Sequence, residues 1–162
     1  MATLGLIGGG NIGTTLARLA VDAGLDVVLS NSRGPQTLSD LVTQLGPRAR
    51  ASTPPQAAAA GDWVVVTIPV GSIEAVPRDP LVGRTVIDTG NYFAPRDGSI
   101  PELETRELTD SELLQRHLHE AHVVKAFKDD RYRDQPAAPA SAAEIGVALA
   151  AAAAVSRVRL PI

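Results

Sequence analysis

The sequence has no cysteine. That excludes a disulfide scaffold, a thiolate nucleophile and a cysteine-based metal site. It is also short of basic clusters: Lys and Arg together number 15 against 18 Asp and Glu, for a formal net charge of −3. A polyanion-binding face needs concentrated positive charge, so no nucleic-acid partner is expected. No stretch approaches the roughly 18–20 strongly apolar residues that a bilayer crossing requires. The Ala-rich run near the C-terminus comes nearest, and alanine is too weakly hydrophobic for the task. No basic segment precedes the first strand-like residues, so no secretory leader is expected. These absences predict a soluble, cytoplasmic protein with no membrane partner, and 162 residues are enough to build a real core.

What is present alternates. Thr3–Ile7 is a short apolar run ending in glycines, as a buried parallel strand should be. From Asn11 to Ala23, Ile12, Leu16, Leu19 and Ala20 recur at helical spacing, and Gly24 stands where a helix-stopping glycine belongs. Asp26–Ser30 supplies a second strand. Pro35 opens a predicted helix to about Leu45, stopped by Gly46-Pro47, and Pro54-Pro55 opens an alanine helix. Trp63–Ile68 is the strongest strand, followed by a brief segment around Ile73–Val76 and a strand at Thr85–Asp88. Thr109-Asp110-Ser111-Glu112 reads as a capping box for a helix to about Leu118, and Val123–Phe127 as a last strand. This order predicts an α/β fold, a Rossmann-type doubly wound parallel sheet with an Ala-rich C-terminal helix or tail. The domain division is 1–127 for the nucleotide-binding unit and 128–162 for a charged stretch, a Pro/Ala-rich linker and a helix over about 141–155. Gly146, Ala150 and Ala154 would form a small-residue face on that helix, the competing reading being compositional drift in an alanine-rich tail.

The turn Gly8-Gly9-Gly10-Asn11-Ile12-Gly13 follows a strand and opens a helix, the context in which a GxGxxG pattern signifies a dinucleotide site. Gly8 permits the sharp turn, Gly10 lets backbone approach a pyrophosphate, and Gly13 lets helix and strand close together. Exposed amides at the helix N-terminus then face the phosphates. The end of the second strand separates NAD from NADP. An NAD site places Asp or Glu there for the ribose hydroxyls, whereas this chain has Ser30-Asn31-Ser32-Arg33. No carboxylate repels a 2′-phosphate, Ser32 can donate to it, and Arg33 can meet it with charge-assisted bonds. NADP(H) is the predicted cofactor; a polar loop with a surface arginine is the competing reading. Ile68-Pro69-Val70 at the next strand end offers apolar surface for one face of the nicotinamide, and Asn91 could bond the carboxamide or a ribose. Both also fit routine loop chemistry. His117, His119 and His122 do not share a helix face, so no metal site is expected. No triad or carboxylate pair stands out, and no catalytic side chain is predicted, which suits hydride transfer, where the cofactor carries the chemistry.

The segments GLIGGGNIGTTLARLA, SNSRGPQTL, VVVTIPVGSIEAVP, VIDTGNYFAPRDG and ELLQRHLHEAHVVKAF, spanning about residues 3–127, resemble the NADPH-dependent F420 reductase family, whose N-terminal fold pyrroline-5-carboxylate reductases share. The resemblance implies hydride exchange between NADP(H) and a second carrier or small molecule, with coenzyme F420, a flavin or a small-molecule acceptor in that role. It also implies Ser32 and Arg33 at the 2′-phosphate, Ile68-Pro69 at the nicotinamide-ribose half, and a homodimer whose C-terminal helix helps complete the site. The family's pattern carries Asn after the last strand and then a further helical region. Here that position is Lys128, and residues 128–162 read as an altered or truncated substrate or dimerisation region. The alternative function is a non-catalytic NADP(H)-binding module, a redox sensor or degenerate paralogue without an acceptor pocket.

Overall fold

A computed structural model of the chain describes residues 2–126. Within them the strands β1 (Thr3–Ile7), β2 (Asp26–Ser30), β3 (Ala49–Ala51), β4 (Trp63–Val66), β5 (Thr85–Asp88) and β6 (His122–Lys125) form one sheet. The order is β3-β2-β1-β4-β5-β6 and every pairing is parallel, the doubly wound Rossmann-type arrangement. The chain winds outward from β1 through β2 and β3, then returns to place β4 on β1's other side. That reversal leaves a crevice beyond the carboxyl ends of β1 and β4, where ligands of open α/β sheets bind.

Side chains alternating along buried strands build two cores. Leu4 and Leu6 of β1, Val27 and Leu29 of β2, and Val65 of β4 pack with Leu16, Ala17 and Ala20 of helix α1 (Asn11–Asp22). On the other face Ile7, Val64, Val66 and Val86 pack with Ala58 of α3 (Pro54–Ala60) and Leu114 of α6 (Asp110–His117). Both faces are therefore covered, as an all-parallel sheet requires.

The helix expected over Pro35–Leu45 is split into a 3₁₀ turn, Pro35–Leu38, and α2, Ser39–Leu45. The split follows from Gly34, whose φ of 97° brings the chain in at an angle, with the Thr37 amide bonded back to the Gly34 carbonyl at 3.2 Å. β4 stops at Val66 rather than Ile68, because the chain leaves the ladder for the 3₁₀ turn Val70–Ala75. Four elements have no counterpart in the sequence-based expectation: β3, the 3₁₀ turn Asp79–Leu81, α4 (Ala94–Asp97) and α5 (Pro101–Glu104). The capping box of α6 forms as expected, with Thr109 accepting from the Glu112 amide and Glu112 from the Thr109 amide. The end of the expected last strand at Phe127, the linker and the helix over 141–155 lie outside the described residues.

Candidate functional site

The glycine turn sits at the carboxyl end of β1 and is held from both neighbouring strands. The Gly8 amide donates to the Ser30 carbonyl at 3.0 Å. The Ser30 hydroxyl, fully buried at the end of β2, donates to the Leu6 carbonyl at 2.8 Å. From the other side Thr67, just past β4, donates its hydroxyl to the Gly8 carbonyl at 2.8 Å. Two of the glycines are demanded by this packing. Gly8 has a φ of 120°, and a Cβ there would lie 2.6 Å from the Thr67 carbonyl oxygen. A Cβ on Gly13 would be driven into the Gly8 carbonyl, so helix α1 could not start so close to β1.

Gly10 is different. Its φ of −81° is open to any residue, and a Cβ built on it would meet nothing within 4 Å. Packing does not demand glycine there, and its bare backbone leaves room for a ligand to lie close. Gly10 is the N-cap of α1 and no side chain caps the helix. The first-turn amides of Asn11, Ile12 and Gly13 lack an intrahelical acceptor by geometry, and the helix dipole adds positive potential at this end. Ile12, expected on the buried stripe, is instead 41% exposed in this first turn.

Beyond β2 the loop is organised by Asn31. Its Nδ2 donates to Thr37 Oγ1 at 2.8 Å and its Oδ1 accepts from the Arg33 amide at 3.0 Å. Thr37 donates in turn to the Gly34 carbonyl at 2.8 Å. Both ends of the Asn31 side chain are thus used inside the loop. Ser32 and Arg33 are exposed, with no hydrogen-bond or ionic partner for either side chain among the described residues. Between Ser30 and Ser39 there is no carboxylate.

Past β4, Ile68 is half-buried, Pro69 is exposed and Val70 is 2% exposed within the second core. Val70 and Gly71 also border a cleft of about 450 Å³ lined further by Glu74, Arg78, Asp97 and Arg116. None of the glycine-turn residues borders it.

Past β5 the backbone is tightly bound. Asp88, 3% exposed, accepts from the Gly90 amide and from Ser111 Oγ, each at 2.7 Å, and from Lys125 Nζ at 3.1 Å. Lys125 also donates to the Gly90 carbonyl. Asp110, 3.9 Å from Lys125 Nζ, accepts from the Tyr92 amide at 3.2 Å. Further out, the Asp97 side chain accepts from Arg96 and from the Phe93 amide, while Arg96 also donates to the Asn91 carbonyl at 2.6 Å. Burial opposes the Asp97 charge, but Arg96 and the Phe93 and Gly71 amides outweigh it and hold its pKa below the ordinary range. Asn91 is exposed, and its side chain has no partner among the described residues.

Thr67, Ser30, Asp88, Ser111 and Lys125 were not singled out from sequence. Their shared signal is a polar or charged residue at the end of an otherwise apolar strand, or at the start of a helix beside one. The three histidines are separately employed: His117 is buried against the Val76 carbonyl and Arg78, His119 lies 3.7 Å from Glu120, and His122 is exposed at the start of β6.

This edge of the sheet has the form of a dinucleotide site, and residues 3–92 match the family model described as NADP oxidoreductase, coenzyme F420-dependent. The chain belongs to this family. Two solved structures resemble it at similar levels. A hypothetical protein from Sinorhizobium meliloti is 29% identical, with a TM-score of 0.64. A candidate F420-dependent NADP reductase from Arthrobacter sp. FB24 is 25% identical, with a TM-score of 0.66. Each match covers 78% of this chain and 62% of the other, so the chain spans about three fifths of those proteins' length. An imine reductase from Streptomyces aurantiacus, 21% identical with a TM-score of 0.55 over 76% of this chain and 39% of that one, shares the fold. No curated protein matches the sequence. Among the described residues no helix is long and apolar enough to cross a membrane.

Proposed function

We propose that the chain binds NADP(H) along the carboxyl edge of the sheet and serves hydride transfer between the nicotinamide and a redox carrier or small molecule. A deazaflavin of the F420 type is the acceptor that the family favours. The observation that carries the reading is the end of β2. An unpartnered guanidinium and a free hydroxyl, Arg33 and Ser32, stand where an NAD site would hold a carboxylate. Gly10 supports it, because no protein atom stands within 4 Å of where its Cβ would be, so the backbone there is open to a ligand.

In this reading the amides of Gly10, Asn11, Ile12 and Gly13 bind the pyrophosphate, and Ser32 and Arg33 take the 2′-phosphate. Asn31 shapes their loop from within, and Gly9 lies beside it, its added Cβ falling 3.8 Å from Asn31 Cβ. Ile68 and Pro69, over the buried Val70, offer an apolar wall to the nicotinamide half, and Asn91 offers an amide to it. The ends of β2 and β5 are three strand spacings apart, about 14 Å, which suits an extended dinucleotide. When bound, NADPH supplies a hydride from its nicotinamide ring. The chain's part is to bind, orient and shield that ring, with no side chain required as acid or base.

The acceptor is decided by following NADPH oxidation with F420, with a free flavin and with small imines. Turnover with F420 is the expected result. Binding of NADPH without turnover on any acceptor would overturn hydride transfer and leave a cofactor-binding module.

A further inference from the structure

We propose that Lys125 is a positioning residue that fixes Asn91 towards the nicotinamide end of the cofactor; this rests on the NADP(H) reading above. Lys125 and Asp88 are register partners on the adjacent parallel strands β6 and β5, so their side chains emerge on the same face. Asp88 is buried and all its acceptor contacts are directed at one place: the Gly90 amide, the α6 start through Ser111, and Lys125. Lys125 adds a bond to the Gly90 carbonyl, and Asp110, beside it, holds the Tyr92 amide. Arg96 holds the Asn91 carbonyl. Backbone on both sides of Asn91 is therefore tied down, from β5, β6, α6 and α4, whereas the Asn91 amide itself projects without a protein partner among the described residues.

A loop that needed only to connect β5 to α4 would not require such anchoring. A side-chain amide has two donors and an acceptor, the complement of a carboxamide or a ribose hydroxyl pair. A pre-fixed amide binds either group without the entropy cost of ordering a loop. Lys125 is the element that makes this arrangement tolerable electrostatically. Its Nζ lies 3.1 Å from the Asp88 carboxylate and 3.9 Å from that of Asp110, so one cation offsets both beside the Gly90–Tyr92 backbone.

The test uses the full chain and two ligands, NADPH and adenosine 2′,5′-bisphosphate, which lacks the nicotinamide half. Because Lys125→Met alone leaves Asp88 an uncompensated buried charge, the variant is Lys125→Met with Asp88→Asn. It should bind the bisphosphate as wild type does and NADPH about tenfold more weakly, the loss of roughly one hydrogen bond. Asn91→Ala should show the same selective loss, and adding it to the double variant should cost nothing further, since coupled residues are non-additive. Equal loss of both ligands in the double variant would overturn the proposal, as would an undiminished effect of the double substitution in the Asn91→Ala background. So would a loss in Asp88→Asn alone as large as in the double variant, which would assign the role to Asp88. Wild-type protein that binds neither ligand would instead fail the cofactor reading itself, and this proposal with it.

Discussion

Single atoms decide the geometry of the glycine turn. The Thr67 hydroxyl bridges β4 to the Gly8 carbonyl at 2.8 Å, with a longer contact to the Ile7 carbonyl at 3.4 Å. Thr67→Val keeps the shape and removes the donor, leaving the Gly8 carbonyl without its partner. The expected cost is about 1–2 kcal/mol of stability, read by denaturant unfolding, together with weaker NADPH binding as the turn loosens. Unchanged stability would show that the bond contributes nothing net. Thr67 was invisible from sequence because nothing in a Val-Val-Val-Thr-Ile strand says whether its threonine meets water or a backbone carbonyl. Gly8 and Gly13 were legible there because their spacing encodes a backbone shape. The structure adds that Gly10, unlike them, answers to no packing demand.

Elements report on one another through the loop from Gly90 to Gly98. The turn of α4 closes on its own N-cap: the Arg96 and Asp97 amides each donate to the Phe93 carbonyl at 2.9 Å, while the Asp97 carboxylate receives the Phe93 amide. Because the folded-state pKa of Asp97 lies below its unfolded value of about 3.9, its charge contributes stability above that pH. The contribution is lost as pH falls from about 4 through the depressed folded value. Asp97→Asn should therefore lower stability at neutral pH and flatten this part of the acid limb, measured as melting temperature against pH. An acid limb identical to wild type would contradict the assignment. Sequence periodicity could not reveal α4, α5 or β3, since each is a single turn or three residues, too short to show a period. Asp88 and Lys125 were hidden for another reason. They are 37 residues apart, and only the strand order makes them neighbours.

For the molecule as a whole, the longer apolar strands and amphipathic helices were readable because each buries a periodic face, and their alternation implied the parallel sheet. The glycine turn was readable too, since its backbone shape is set by local sequence at one strand end. The acceptor side depends on contacts between distant segments, which no local pattern encodes. The claim on which the rest depends is that this edge selects the 2′-phosphate through Arg33. Calorimetric titration of NADPH and NADH into wild type and Arg33→Ala tests it most directly. The account predicts tighter NADPH binding in wild type and a roughly 10- to 100-fold loss for NADPH in the variant, as expected for one lost charged hydrogen bond. NADH affinity should be nearly unchanged. Equal loss for both cofactors, or no loss for either, would contradict it.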